Sequence, residues 1–389
     1  MIRTPRREGI RLGTARLGLA LLTIVLSVLA AGAHPDEALA SRGMLIGLYD
    51  PVQPIAAPDK TFADYVKLRA QVMRMDLNWG EYVAKKRPAQ PADPADPAYN
   101  WDQYDELVQK ARKHKIQIVF TIYGTPRWAN GGQKPNRAPK KMVYLRQFAF
   151  AAAKRYSGTF PLADGTVLPS VRKWIAWNEP NSPVFLRPQW VRVRKRNIPI
   201  AAKNYAQMCT AVWQGVHATH LKETVACGAT DPHGNNKARG SRLSIAPLTF
   251  LSALKRYGLR HFDVYAHHPY YGGPSESPTT LPKAKTAVTL ANIGVLIKLL
   301  TRLYGHKQLW ITEYGYQTRP PDKHFGVSWA KQAQYLTKAY AVARRNPRIT
   351  MMLWFLLRDE GRLSGWQSGL MTVGGRHKPA FNAFRRLRH

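Results

Sequence analysis

Trp174-Ile175-Ala176-Trp177-Asn178-Glu179-Pro180-Asn181 decides how this chain is read. An apolar run too short for a helix, closed by Asn, Pro and Asn, reads as a strand buried on both faces whose last residues emerge at its carboxyl end. An acid stands at that edge. The same grammar recurs at Leu309-Trp310-Ile311-Thr312-Glu313-Tyr314-Gly315.

Working outward, similar runs lie at Met44–Tyr49, Val72–Leu77, Ile116–Tyr123, Trp174–Trp177, Thr224–Ala229, Phe262–Ala266, Gln308–Thr312 and Met351–Leu356. Between them, helical periodicity marks Asp102–His114, Met142–Tyr156, Ala202–Ala218, Pro247–Tyr257, Thr286–Tyr304, Ser328–Arg345 and Ala380–Leu387. Alternating strand and helix implies a parallel sheet, and the eightfold count favours a closed α/β (β/α)₈ barrel over an open sheet. No glycine-rich dinucleotide fingerprint follows the first strand, which weakens the open sheet further. The Pro- and Ala-rich stretch Lys85–Ala98 and the segment Tyr271–Pro282 read as loops on the face carrying the strand carboxyl ends.

Residues 1–40 are expected to be a signal peptide or N-terminal anchor, and residues 41–389 one catalytic domain. Arg3, Arg6, Arg7, Arg11 and Arg16 precede an uncharged apolar run from Leu17 to Ala33, the layout of a signal peptide. Ala31-Gly32-Ala33 and Ala38-Leu39-Ala40 both fit cleavage, with an uncleaved anchor as the alternative. A secreted or cell-envelope protein is therefore expected. The net charge is +36, from 59 Lys and Arg against 23 Asp and Glu. Such a charge draws polyanions, including anionic envelope polymers, but no nucleic-acid motif accompanies it. Cys209 and Cys227, the only cysteines, exclude a disulfide framework and a cysteine zinc site. They either pair or pack as small apolar residues.

Barrel enzymes place their chemistry where strands end, so Glu179 and Glu313 are the candidate catalytic pair. Two carboxyl groups on facing strands suit cleavage of a glycosidic bond with retention, one as proton donor and one as nucleophile, about 5 to 5.5 Å apart. Placement alone gives the pair and leaves the two roles open. Adjacent residues of a regular strand face opposite ways, so Asn178 and Glu179 can share a site only if the strand ends or bulges there. Trp79, Trp128 and Trp354, at strand ends, are candidates to stack on sugar rings, whereas Trp213 and Trp329 fall within helices and read as packing residues.

Asn178-Glu179-Pro180 and Glu313, with Met73-Arg74-Met75-Asp76-Leu77-Asn78-Trp79, Gly124-Thr125-Pro126-Arg127-Trp128-Ala129-Asn130, His268-Pro269-Tyr270 and Trp354, resemble clan A of the glycoside hydrolases. That group includes families 5 and 39, with cellulase- and xylosidase-like members. The resemblance spans nearly all of the chain after its signal segment. It implies a retaining glycosidase with Glu179 as acid and base and Glu313 as nucleophile. Asn178 would donate to the sugar 2-hydroxyl, Tyr270 would bond the nucleophile, and His268 would frame the acid, leaving His267 structural. Arg74 would lie near Glu313 and lower its pKa, its plainer reading being a partner for Asp76. Trp354 would form the sugar platform, followed by a cis peptide bond to Phe355. The expected partner is an oligo- or polysaccharide substrate, and the expected protein is a monomer that uses no metal or cofactor. Two other classes fit parts of the sequence: a catalytically silent carbohydrate-binding barrel, and a basic protein that binds anionic envelope polymers.

Overall fold

The structure is a computed structural model that describes residues 43–240 and 243–387. The expected signal segment, residues 1–40, lies outside the described residues. Strands β1 (Leu45–Tyr49), β2 (Val72–Asn78), β3 (Gln117–Tyr123), β4 (Lys173–Ala176), β7 (Thr224–Thr230), β8 (Val264–His267), β9 (Gln308–Tyr314) and β10 (Ile349–Phe355) close a barrel in the order β1-β10-β9-β8-β7-β4-β3-β2. Every neighbouring pair is parallel. The two remaining strands, β5 (Val191–Val193) and β6 (Arg196–Ile198), form an antiparallel hairpin outside it.

Helices α1 (Pro58–Lys67), α2 (Asp102–Lys113), α3 (Met142–Arg155), α4 (Ile200–His217), α5 (Pro247–Arg256), α6 (Ile293–Tyr304), α7 (Trp329–Arg344) and α8 (Pro379–Arg385) each follow a barrel strand. All eight sequence-read strands are present. One helix starts seven residues later than Thr286–Tyr304 suggested. Thr289 and Asn292 close a capping box around the short turn Leu290–Asn292, so the apolar residues before Ile293 pack as a loop.

Side-chain alternation sorts the core into two layers. Val72, Val119, Ile175, Ala226, Val264, Trp310, Met351 and Leu353 fill the barrel interior. Met73, Phe120, Trp174, Leu309 and Met352 face the helices in the larger outer cluster. Arg74 and Asp76 therefore continue the inward column begun by Val72, toward the carboxyl end of the barrel.

Cys209 on α4 and Cys227 on β7 form a disulfide with Cα atoms 6.0 Å apart, which resolves the two readings of that pair. Among the described residues no helix is long and apolar enough to cross a membrane.

Candidate active site

Three strands leave regular geometry where they reach the mouth of the barrel. β4 ends at Ala176, after which Trp177 and Glu179 adopt φ of 69° and 37°. The strand thus ends before Asn178 and Glu179, the condition their common orientation required. On β9, Ile311 pairs with Met352 but Tyr314 pairs with Trp354, so β9 holds one extra residue in that interval. This bulge lets both Thr312 and Glu313 face the interior, where strict alternation would send Glu313 to the helix layer. On β7, a register shift falls between Gly228 and Thr230. Gly228 has φ of 102° there, and a Cβ would meet Ala266 O at 2.6 Å, so glycine is needed.

These ends converge on Arg74, whose side chain is fully buried. Its guanidinium donates to Thr121 Oγ1, Glu313 Oε1 and Asn178 Oδ1, each at 2.7 Å. Asp76 Oδ1 lies 3.6 Å away, so Arg74 serves both its expected partners. Tyr49 stacks on the guanidinium at 4.1 Å and donates to Asp76 Oδ2 at 2.8 Å. A planar fork reaching three strands is a task for Arg rather than Lys.

Glu313 is held from both sides. Arg74 bonds Oε1, and the Tyr270 hydroxyl donates to Oε2 at 3.1 Å. Burial pushes the carboxyl above its ordinary range, and the Arg74 cation opposes that. Glu179 has a different environment. Burial raises its pKa well above the usual carboxylate value, and the neighbouring Asp231 carboxylate adds to the rise. Asp231 is itself raised by burial.

His268 links the two acids. Nδ1 lies 2.8 Å from Glu179 Oε1 and Nε2 lies 2.9 Å from Thr312 Oγ1. Arg74 Nη1 offers only donors and sits 3.3 Å from Nε2, so Nε2 is assigned as acceptor and Nδ1 as the donor to Glu179. Burial pushes His268 down to about 3, so the ring stays neutral. His267 is structural, bridging Thr230 Oγ1 at 2.8 Å and Val288 O at 2.9 Å.

Ligand atoms from Glu179, His268 and Glu313 all lie within 4.8 Å of one another. Among the described residues they are the group placed to hold a metal, but both His268 nitrogens already have partners. A cation would have to displace one of them.

A cavity of about 360 Å³ opens at Glu179, lined also by Asp231, His233, Tyr270, Tyr271, Gln317, Phe325 and Trp366. Its aromatic wall differs from the expected one. Trp79 is fully buried, because the chain turns back after β2 in a single π-helical turn and stacks this ring on Phe148. Trp128 is half-buried, donating to Ala84 O and packing edge-on against Trp79, and does not line the cavity. Trp354 is also fully buried and donates to Ser368 O. It shares the outward parity of Met352, whereas its neighbour Phe355 faces the mouth with Tyr49 and Tyr270. The cis bond is likewise Phe355-Leu356 rather than Trp354-Phe355. Phe355 packs with Tyr49 and Tyr270, and Trp366 closes over Tyr270 at 5.1 Å and Phe355 at 5.5 Å. Trp366 and Phe325 are thus the exposed rings that line the cavity.

Asp231 stands one residue past the end of β7, the same strand-end position that marked the two glutamates. Buried Asn181 clamps its backbone, accepting from Asp231 N at 2.9 Å and donating to Asp231 O at 3.0 Å. The Glu179 loop and the Asp231 loop are therefore one unit.

No protein-family model matches this chain, and no curated protein is similar to it in sequence. Solved structures are similar in fold. A family 39 glycoside hydrolase from Bacteroides cellulosilyticus WH2 superposes with a TM-score of 0.61 at 19% identity, over 90% of this chain and 64% of that one. This chain thus spans less than two thirds of that protein's length. A GH39 β-xylosidase from Caulobacter crescentus gives 0.56 at 16% identity, over 89% and 71% of the two chains. A family 1 β-glucosidase from Thermotoga maritima gives 0.54 at 12% identity, over 88% and 96%. The likeness is one of fold: this chain is a (β/α)₈ barrel of the kind on which those glycoside hydrolases are built.

Proposed function

We propose that this chain is a retaining glycoside hydrolase acting on a β-linked oligo- or polysaccharide, with Glu179 as acid and base and Glu313 as nucleophile. The observation that carries the reading is the placement of the two carboxylates, with oxygens within 4.8 Å on different strand ends of one barrel. An approach this close favours direct attack by one carboxylate over the wider separation, about 6.5 to 9.5 Å between carboxyl groups, that inversion through an intervening water needs.

The two environments support the division of roles. Glu313, held by Arg74 and Tyr270, attacks the anomeric carbon as a carboxylate, while Glu179 gives its proton to the departing glycosidic oxygen. A glycosyl ester on Glu313 results. Glu179, now ionised, takes a proton from water as its oxygen attacks the same carbon, which frees Glu313 and returns the proton to Glu179. The β-xylosidase and β-glucosidase named among the structural neighbours support a β-linked substrate. The basic, apolar start of the chain and the Cys209–Cys227 disulfide support work outside the reducing cytoplasm.

The test is leaving-group dependence across a panel of aryl β-glycosides. Glu179→Ala should lose about 10²- to 10⁴-fold in kcat/KM on substrates with poor leaving groups and far less on activated nitrophenyl glycosides. Equal losses on both would remove Glu179 from the acid role.

Asp231 gives a second expectation. Asp231→Asn removes a charge that holds the Glu179 proton in place, so the Glu179 pKa falls. Activity requires that proton, and the basic limb of the kcat/KM profile should therefore move to lower pH. A limb that stays in place would show that Asp231 does not tune the acid.

A further inference from the structure

The loops that follow β3 and β4 carry five Lys and Arg each, within residues 124–141 and 180–199, and neither stretch contains an Asp or Glu. The two loops form one surface. Arg187 N donates to Asn136 O at 2.8 Å, Asn136 Nδ2 donates to Val184 O at 3.0 Å, and residues 137 and 187 form a β-bridge. The β5–β6 hairpin projects from it with Arg192, Arg194, Lys195 and Arg196 all exposed. Among the described residues no ion pair involves any of these four or Arg187.

The root of the hairpin is tied to the site. Gln189 Nε2 donates to Pro180 O at 3.0 Å, the residue after Glu179, and Trp190 Nε1 reaches Ser244 O at 3.4 Å in the loop beyond Asp231. Uncompensated cations cost self-repulsion, and these are gathered on the same face as the paired carboxylates. Two exposed aromatic rings line the cavity, Trp366 from the loop after β10 and Phe325 from the loop after β9. One side of the site thus offers stacking rings and another offers fixed positive charge.

We propose that the surface of the β3 and β4 loops binds an anionic glycan, a polymer bearing carboxylate, sulfate or phosphate groups, beside the cleavage position. The choice of a glycan over another polyanion rests on the glycosidase reading, whereas the binding itself does not. Charge on the sugar chain pairs with the hairpin while a neighbouring residue occupies the cavity.

The test compares the full-length protein with a variant reversed at the hairpin, R192E/R194E/K195E/R196E, and with a control reversed on the helical exterior, K113E/K298E/R302E/K338E. All eight positions are exposed, so folding is expected to survive and is checked by thermal melting. Probes are polygalacturonate, dextran sulfate, a glycerol-phosphate polymer, neutral dextran and single-stranded DNA, titrated at about 50 mM and higher salt. The hairpin variant should weaken binding to at least one anionic glycan by about tenfold or more and flatten its salt dependence, while the control retains most of the affinity. Hydrolysis of a neutral aryl glycoside should be the same in all three proteins.

Equal weakening by both variants would overturn the proposal, since net charge rather than this surface would then be responsible. Absence of binding to every anionic glycan, or tighter hairpin-dependent binding to DNA, would overturn it as well. The binding titrations read no hydrolysis, so an inactive Glu313 would leave their outcome unchanged. Failure of the catalytic reading is thereby distinguishable from failure of this one.

Discussion

Glu313→Ala should lower kcat on aryl β-glycosides by about 10⁴-fold or more, and azide should restore turnover with formation of a glycosyl azide. The magnitude follows from what the residue does in the proposed cycle. Without the carboxylate there is no group to accept the anomeric carbon, and the stepwise route through a covalent ester is closed. Azide is a small anion that fits the vacated volume and attacks the same face. Replacement also removes one partner of the buried Arg74 ion pair, so some loss of stability is expected, eased by the Asp76 carboxylate that stays beside Arg74 and read separately by thermal melting. Activity that survives in Glu313→Ala, or loss that azide cannot rescue, would place the nucleophile elsewhere.

Arg74→Met should lower both stability and activity, with the largest stability loss of the changes proposed. The guanidinium compensates Glu313 and Asp76 and supplies the donor to Asn178 Oδ1, all in the closed mouth of the barrel. Removing one partner of a buried ion pair typically costs about 3–5 kcal/mol, and here two acids lose theirs. The Glu313 carboxyl would rise further with the opposing cation gone. Its ionised form is the reactive one, so the acidic limb of kcat/KM should move to higher pH. Arg74→Lys keeps the charge but loses the three-way fork, and should recover much of the stability without restoring full activity. Urea midpoints and pH profiles of the two variants separate the contributions. An Arg74→Met protein as stable as the parent would contradict the compensation described for this site.

The barrel was legible because strands buried on both faces are written as continuous apolar runs, and because short strands and helices alternate along the chain. Acids are scarce in this basic protein, so Glu179 and Glu313 stood out at strand ends. What sequence could not carry was local backbone geometry. The extra residue on β9 that turns Glu313 inward leaves no compositional mark, since Ile311-Thr312-Glu313-Tyr314 reads as an ordinary strand end. The parity of β10 gives a sharper case. Trp354 and Phe355 are both large aromatics, and only the register against β9 and β1 sends Trp354 to the helix layer and Phe355 to the mouth. Trp79 failed for a similar reason, because a single helical turn after β2 reversed its direction.

Trp366 was hidden differently. It reaches the site from a loop, and its neighbours Tyr270 and Phe355 are distant in sequence, so no local pattern announces it. Asp231 was within reach of the rule that found the glutamates, standing one residue beyond β7. Its tie to Glu179 runs through the Asn181 side chain, a contact distant in sequence that no local pattern announces.

The central claim is a double displacement on Glu313, and its most direct test is the anomeric configuration of the first sugar released, followed by proton NMR before mutarotation. On a β-glycoside turned over by this protein, the β-anomer should appear first and the α-anomer only later, as solution equilibrium is approached. Initial release of the α-anomer would mean a single displacement by water, and would contradict the account of these two carboxylates.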